Sequence, residues 1–364
     1  MEVPGGTKYR VVGIPDEPSS AIAAQAARLT AAGATVVQYD KVGAALKRLG
    51  CAPDFLCDDQ DVTWIHRRAD DVEFYFVAVP NKDPKRIVCT FRVGGMTPEL
   101  WDPVTGDVRM LDERFFRATQ DGRTEVTLDC APSHSVFVVF RAAKTGTVPN
   151  PGSGSAGTVP DNLGSVPIDG TWEVGFREPG AARDIATAKY PVLESWTKSE
   201  NPDVRYFSGT ATYFIKFSMS ANGVCPKDRR VALDLGEVKE IAEVTVNGRA
   251  YPALWKPPYQ VDITDAVAGN CGARDSLDLE VKVTNLWPNR LIGDAALGED
   301  CERDDGKDSK GYPLVKAWPE WLRRGEISPT GRHAFSTCSL WKSDEPLIES
   351  GLLGPVRIVL LPSR

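Results

Sequence analysis

Carboxylates, indoles and guanidinium groups crowd into one stretch of this chain, between Asn285 and Lys342. It opens with Asn285-Leu286-Trp287-Pro288-Asn289-Arg290-Leu291-Ile292-Gly293-Asp294 and continues through an acidic run from Glu299 to Asp308. Lys316-Ala317-Trp318-Pro319-Glu320-Trp321-Leu322 follows, then Ser328-Pro329-Thr330-Gly331-Arg332-His333 and Leu340-Trp341-Lys342. Long irregular stretches in compact domains are often functional. Indole faces stack on the C–H faces of sugars, and Arg, Asp and Asn supply fixed hydrogen-bond partners. Trp287, Asn289, Arg290, Trp318, Trp321, Arg332, His333 and Trp341 are therefore candidate substrate-binding residues. Acetal cleavage calls for two carboxylates across the scissile bond. Glu320 is the first candidate, because its flanking Trp residues suggest an apolar setting that raises a carboxyl pKa towards the general-acid range. Asp294 is the second. Plainer readings stand beside these: Trp287 and Trp341 as core plugs, Arg290 with Asp294 as a structural ion pair, and Glu320 as a solvent-facing residue on a short helix.

Other chemistries have weaker footing. Asp300-Cys301-Glu302-Arg303-Asp304-Asp305-Gly306-Lys307-Asp308 offers the oxygen ligands that Ca²⁺ takes, but lacks EF-hand spacing and carries interspersed Lys and Arg. A solvated charged loop is the alternative, and no cofactor is expected. Eight Cys are scattered without a CxxC or a Cys/His ligand cluster, which argues against a zinc site. Cys89 and Cys130 fall on apolar strands and read as buried thiols, while Cys225 and Cys271 are a possible disulfide pair in an exported protein. His66-Arg67-Arg68 with Asp70-Asp71 reads either as a sugar-facing cluster or as an ion-pair set between domains. Three His are too few and too scattered for a metal site or a nucleophile triad, and no GxSxG elbow, P-loop or dinucleotide fingerprint is present.

The elements that must position these groups are mostly strands. Val231, Leu233 and Leu235 alternate with polar or small residues, as do Val244 with Val246 and Leu277 through Val283. Asn247-Gly248 is a hairpin turn, because both residues tolerate positive φ. Period-two patterns also predict strands at 62–67, 72–79, 87–93, 125–128 and 136–140, separated by Gly, Asn and Pro turn signals. Near the start, strands at 9–15 and 35–39 alternate with helices at 19–32 and 42–49, the first capped by Ser19 and ended by Gly33. The expected organisation is an abbreviated α/β segment (1–58), a small antiparallel β-sandwich (59–141), a Gly/Pro/Ser linker (142–167) and a galactose-binding-like jelly-roll β-sandwich (168–364). The fold class is mainly β.

The order of these phrases carries a resemblance. Arg229 to Trp287 and Tyr206 to Phe217 resemble the sugar-binding jelly roll that accompanies glycoside hydrolases of the family 2 type. Trp64-Ile65-His66-Arg67-Arg68, Pro98-Glu99-Leu100-Trp101-Asp102-Pro103-Val104-Thr105-Gly106 and the last domain resemble the C-terminal part of the family 106 α-L-rhamnosidases. The resemblance implies a carbohydrate ligand or substrate, a terminal β-galactoside or α-L-rhamnoside of plant-type glycans. In the family, the catalytic carboxylates sit on a (β/α)₈ barrel. This chain shows no run of eight alternating strands and helices, so those residues have no positions here to be carried onto. Two readings stay open: a compact glycoside hydrolase with carboxylates drawn from the 294–345 region, and a non-catalytic glycan-binding accessory module.

Composition bounds the partners. The chain has 364 residues, 42% hydrophobic and 26% charged, ordinary for a globular protein of two or three domains. A net charge of −7 argues against nucleic acid as the main partner. No stretch is long and apolar enough to span a membrane. Met1 to Gly6 lacks the basic and apolar regions of a signal peptide, so a cytoplasmic location is the default expectation, with an exported or truncated form as the alternative. Oligomeric state is left open.

Overall fold

Apolar residues placed at every second position give a strand one wet face and one dry face, and two such sheets bury their dry faces against each other. That arrangement occurs twice in the computed structural model, which describes residues 9–141, 164–177, 185–218, 229–267, 276–307, 311–338 and 340–362. The protein is mainly β, with antiparallel sheets, and divides into two compact units. The first is built from residues up to 80, 86–130 and from 135 on; the second takes the short pieces 81–85 and 131–134 and everything from 152.

In the first unit, parallel strands Val11–Ile14 and Thr35–Gln38 flank helix Ser20–Ala31, whose first turn is capped by the Ser19 hydroxyl accepting from Ile22 N–H at 3.4 Å. Helix Val42–Arg48 follows. A sandwich comes next. One sheet orders Phe55–Cys57, Lys85–Phe91, Thr124–Cys130 and Phe116–Ala118. The other orders Thr63–Ala69, Val72–Val79, His134–Arg141, Pro98–Trp101 and Val108–Met110. Tyr75 and Phe140 from the second sheet meet Phe91 from the first, with ring centroids 4.8 and 5.4 Å apart. Edge-on and tilted contacts of this kind add to the area the rings bury. Cys89 and Cys130 lie in this core as buried thiols.

The His66 cluster takes partners other than the neighbouring Asp70 and Asp71 side chains. Its Nδ1 faces Asp54 and its Nε2 faces Glu73, each at 2.7 Å, and its ring stacks on Tyr75 with centroids 4.0 Å apart. Arg92 grips Asp54 from the other side at 2.7 Å, and Arg68 reaches Glu73 at 3.4 Å.

The second unit also pairs two sheets. Ser165–Pro167, Arg357–Leu361, Arg230–Asp234 and Gln260–Asp262 form one; Ala186–Tyr190, Trp172–Arg177, Thr210–Ser218, Ser276–Thr284, Ile241–Val246 and Arg249–Ala250 form the other. Val231, Leu233 and Ile358 from the first share one core with Val174, Tyr213, Val244, Leu279 and Val281 from the second. The expected turn is present: Val246 pairs with Arg249, leaving Asn247 (φ 50°) and Gly248 (φ 79°) as a two-residue loop. Residues 142–163 of the expected linker, and both Cys225 and Cys271, lie outside the described residues. Ser165–Pro167, at the end of that linker, is a strand paired with Arg357–Leu361. Among the described residues, no helix is long and apolar enough to cross a membrane.

One polar contact sits at the centre of this core. Trp196 is fully buried, and its indole N–H donates to the Tyr213 hydroxyl at 2.5 Å. The same oxygen accepts from Leu352 N–H at 3.0 Å. Burial pushes the Tyr213 phenol well above its usual range, so it stays neutral. Tyr213→Phe strips the acceptor from two buried donors. The expected cost is roughly 1–3 kcal/mol for each orphaned N–H, read from urea denaturation followed by Trp fluorescence. A change below about 0.5 kcal/mol, the scatter of ordinary surface substitutions, would show that the pair is not structural.

Candidate functional site

The polar stretch of the second unit begins where strand Ser276–Thr284 ends. Asn285 is buried and closes the strand: its carboxamide donates to Phe207 O at 2.9 Å and to Ser350 Oγ at 3.1 Å, and accepts from Gly209 N–H at 3.0 Å. Pro288 at the first helical position then starts helix Pro288–Ala295, where a missing N–H costs nothing. The helix turns an unusual face inward. Asn289, Arg290, Ile292 and Asp294 are buried, and Gly293 packs so tightly on Tyr206 that a Cβ would stand 2.6 Å from its ring.

These polar side chains work as clamps. Asn289 donates to Ile348 O at 2.6 Å and accepts from Ile348 N–H at 2.8 Å, copying a strand pairing with one side chain. It also donates to Ser350 Oγ at 3.1 Å. Asp294 accepts from His333 N–H at 3.1 Å and Ala334 N–H at 2.8 Å. A buried carboxylate accepting from two backbone donors is fixed in place by them.

The loop that Asp294 holds carries a second cluster. Phe335 lies between two indoles, 5.6 Å from Trp318 and 6.0 Å from Trp321. The Trp321 N–H donates to Asp300 O at 2.9 Å, and Asp300 is buried with its Oδ2 accepting from Ser328 Oγ at 3.0 Å. Glu299 links two guanidinium groups: Arg303 at 2.8 Å and Arg332 at 3.7 Å. Arg303 further donates to Thr337 O at 3.0 Å and Ser336 O at 3.3 Å. The Arg332 side chain is 9% exposed, and among the described residues its Nε has no hydrogen-bond partner.

The candidates thus fall into groups. Asn289 and Asp294 are engaged in holding chain segments together. Arg290 is buried on the same helix, and His333 is exposed while its backbone N–H serves Asp294. Trp321 is partly buried by its hydrogen bond, and Trp341 is half-buried. Trp287, read as a possible core plug, is 63% exposed, and Trp318 is 60% exposed. Glu320 opens the short helix Glu320–Arg323 with its side chain 64% exposed and paired to Arg323 at 3.0 Å and Arg324 at 3.5 Å. The apolar setting that motivated its choice is not where its carboxylate points, because a Glu at the first turn faces outward towards the cations one turn later. The acidic run is likewise engaged: Glu302 pairs with Lys316 at 3.2 Å. Among the described residues, no three His, Cys, Asp or Glu side chains converge as metal ligands would.

The sequence places Glu299 and Arg303 only in a charged run and gives Phe335 no role. Glu299 and Arg303 have the i,i+4 spacing of a helical ion pair, but they occur in a run of charges that reads as solvated. Phe335 carries no local signal, since only the fold brings it between Trp318 and Trp321.

Asp294→Ala removes the acceptor for two loop donors. Charge-assisted hydrogen bonds are worth about 1.5–3 kcal/mol each, so a loss of several kcal/mol is expected. Limited proteolysis should show faster cleavage within 328–338 than in the parent chain. Unchanged cleavage with unchanged stability would mean that Asp294 does not hold this loop.

Comparison with known proteins supplies the context for this geometry. Residues 19–114 match the family model of the alpha-L-rhamnosidases, glycoside hydrolase family 106, a span that includes the Trp64–Arg68 and Pro98–Gly106 phrases. A rhamnosidase structure from Novosphingobium sp. PP1Y superposes with a TM-score of 0.59 at 29% identity, covering 96% of this chain and 30% of that one. A putative beta-glucuronidase of Formosa agariphila is 41% identical over 194 residues, 53% of this chain and 15% of the relative. The chain therefore spans less than a third of the length of either relative. With its β-sandwich fold, the chain is related to glycoside hydrolases and resembles the C-terminal part of the family 106 α-L-rhamnosidases.

Proposed function

We propose that this chain binds glycan, serving a rhamnosidase-related hydrolase as its sugar-recognising part rather than as the group that breaks the bond. The observation that carries this reading is the division of labour in the polar stretch. The two candidate catalytic carboxylates are committed elsewhere, Asp294 to two backbone N–H groups and Glu320 to two arginines in solvent. Trp287 and Trp318, by contrast, present most of their surface to water. An exposed indole is costly to leave unused and is a natural platform for a sugar face. Trp318 is backed by Phe335, which limits the rotamers it must give up on binding. The galactose-binding-like jelly roll proposed for the second unit fits the same role. The family match favours a terminal α-L-rhamnoside of a plant-type glycan over a β-galactoside.

Hydrolysis by this chain alone is the second reading, and the family match is what favours it. It would need carboxyls about 5–9 Å apart on either side of a bound sugar.

The test is calorimetric titration of the purified chain with rhamnose- and galactose-terminated oligosaccharides, alongside turnover of the corresponding p-nitrophenyl glycosides. Trp318→Ala and Trp287→Ala are each expected to weaken binding about tenfold, equivalent to about 1.4 kcal/mol. Glu320→Gln should leave it unchanged. Turnover that vanishes in Glu320→Gln or Asp294→Asn, with the variant folded, would replace binding with hydrolysis. Neither binding nor turnover by a folded chain would remove the carbohydrate role from this part altogether.

A further inference from the structure

A pair of thiols outside the polar stretch faces across two strands of the first unit. Strand Phe55–Cys57 is the edge of its sheet and pairs antiparallel with Lys85–Phe91, in a register that sets Cys57 directly opposite Cys89. The flanking hydrogen bonds define what kind of pair this is. Asp58 N–H donates to Val88 O at 3.2 Å and Arg92 N–H to Asp54 O at 3.0 Å. Hydrogen-bonded pairs therefore fall at 58/88 and 54/92, and alternation along an antiparallel ladder makes 57/89 a non-hydrogen-bonded pair. Such pairs bring Cα atoms to about 4.5 Å, with side chains on the same face, inside the window a disulfide can span. The two Sγ atoms are 3.7 Å apart. Closing to the bonded distance of about 2.05 Å takes side-chain rotation and a small approach of a strand that, among the described residues, lies at the edge of its sheet.

The geometry points to Cys57 and Cys89 as a reversible redox pair that closes into a cross-strand disulfide in an oxidising medium. The oxidant is a small-molecule disulfide of the glutathione class. Cys57 is half-buried and Cys89 fully buried, so the oxidant meets Cys57 first. The Cys57 thiolate attacks one sulfur of the oxidant and keeps it as a mixed disulfide; the oxidant's S–S bond breaks, and its other sulfur leaves as a thiolate that takes up the proton given up by Cys57. The Cys89 thiolate then attacks Cys57 Sγ, and the second small thiol leaves with the proton from Cys89. Two protein thiols become one disulfide, and one oxidant disulfide becomes two thiols. Burial raises both thiols above their usual range, Cys89 more than Cys57. Closure is accordingly slow at neutral pH and faster in mild alkali.

Cys130 is the competitor. It is buried on strand Thr124–Cys130, the other neighbour of Lys85–Phe91, but its thiol points to Leu128 O at 3.8 Å. The bridge through Cys57 would fasten the edge strand by which the chain enters the sandwich, and would form only where the surroundings favour disulfides.

The full chain, incubated at pH 8 over a series of reduced-to-oxidised glutathione ratios, is alkylated, digested and sequenced by mass spectrometry. The expected product joins Cys57 to Cys89. Cys51 shares the tryptic peptide of Cys57, so fragment ions and a Cys51→Ser control assign the sulfur. Cys57→Ser should abolish the crosslink and Cys130→Ser should keep it. The oxidised chain should melt higher, on the order of 10 °C for a loop of this length, and return on reduction. A Cys89–Cys130 bridge, a mixed disulfide that stops at Cys57, or full alkylation of both thiols at every ratio would each overturn the proposal.

Discussion

An indole N–H taken out of water must find an acceptor, and the way Trp196 finds one organises the second unit from core to surface. Its acceptor is the Tyr213 hydroxyl, on a central strand of the six-stranded sheet. The same oxygen takes the N–H of Leu352. The intervening Gly351 sits at φ +111°, where a Cβ would stand 2.5 Å from the indole nitrogen. Glycine is required there by both backbone and space. The next residue back, Ser350, accepts from Asn285 and Asn289. Asn289 belongs to the helix whose Asp294 holds His333 and Ala334. Hydrogen bonds and short chain segments thus link a buried tryptophan to the loop that bears Phe335.

This continuity explains which carboxylates remain available. A carboxylate becomes a catalyst when its surroundings leave one protonation state strained and a lone pair free for substrate. Asp294 is buried, but two backbone donors complete its needs. Glu320 is close to tryptophans in sequence, but the first turn of a short helix turns it away from them and towards Arg323 and Arg324. Proximity along the chain and proximity in space differ most at a helix start, where successive side chains diverge by about 100°. The same rotation leaves Trp321 able to reach Asp300 O and be covered.

The sheets were legible because period two is a local signal that burial reinforces. Leu277, Leu279, Val281 and Val283 alternate in the text and are all fully buried in the structure. Asn247-Gly248 was legible because its turn requires positive φ, and few residue pairs accept that. The polar stretch was legible as composition and illegible as geometry. Nothing in the order of residues 285–342 tells that Asn289 would imitate a strand for Ile348, or that Arg303 would be tied to Ser336 and Thr337. Those contacts join residues 33 to 59 positions apart without a repeating pattern, so only the assembled sandwich creates them. The His66 cluster shows the same limit on a smaller scale. Asp70 and Asp71 were its neighbours in sequence, but the antiparallel hairpin sets Tyr75 opposite His66 and Glu73 opposite Arg68, and Asp54 comes from just before the strand Phe55–Cys57.

A sandwich in which polar side chains fasten the loops suits recognition better than bond cleavage. Acid–base catalysis asks for groups that change charge during turnover, and such groups strain the structure that depends on them. Asn285, Asn289 and Ser350 do not titrate, and the fold rests on them. Asp294 holds its loop through two backbone N–H groups. A residue on which the loop depends is poorly placed to give and take protons in each cycle. Exposed indoles carry no such conflict. Trp287 and Trp318 keep most of their surface in water. By this argument the second unit keeps its shape by committing its carboxylates, and the proposed glycan role falls to its exposed tryptophans.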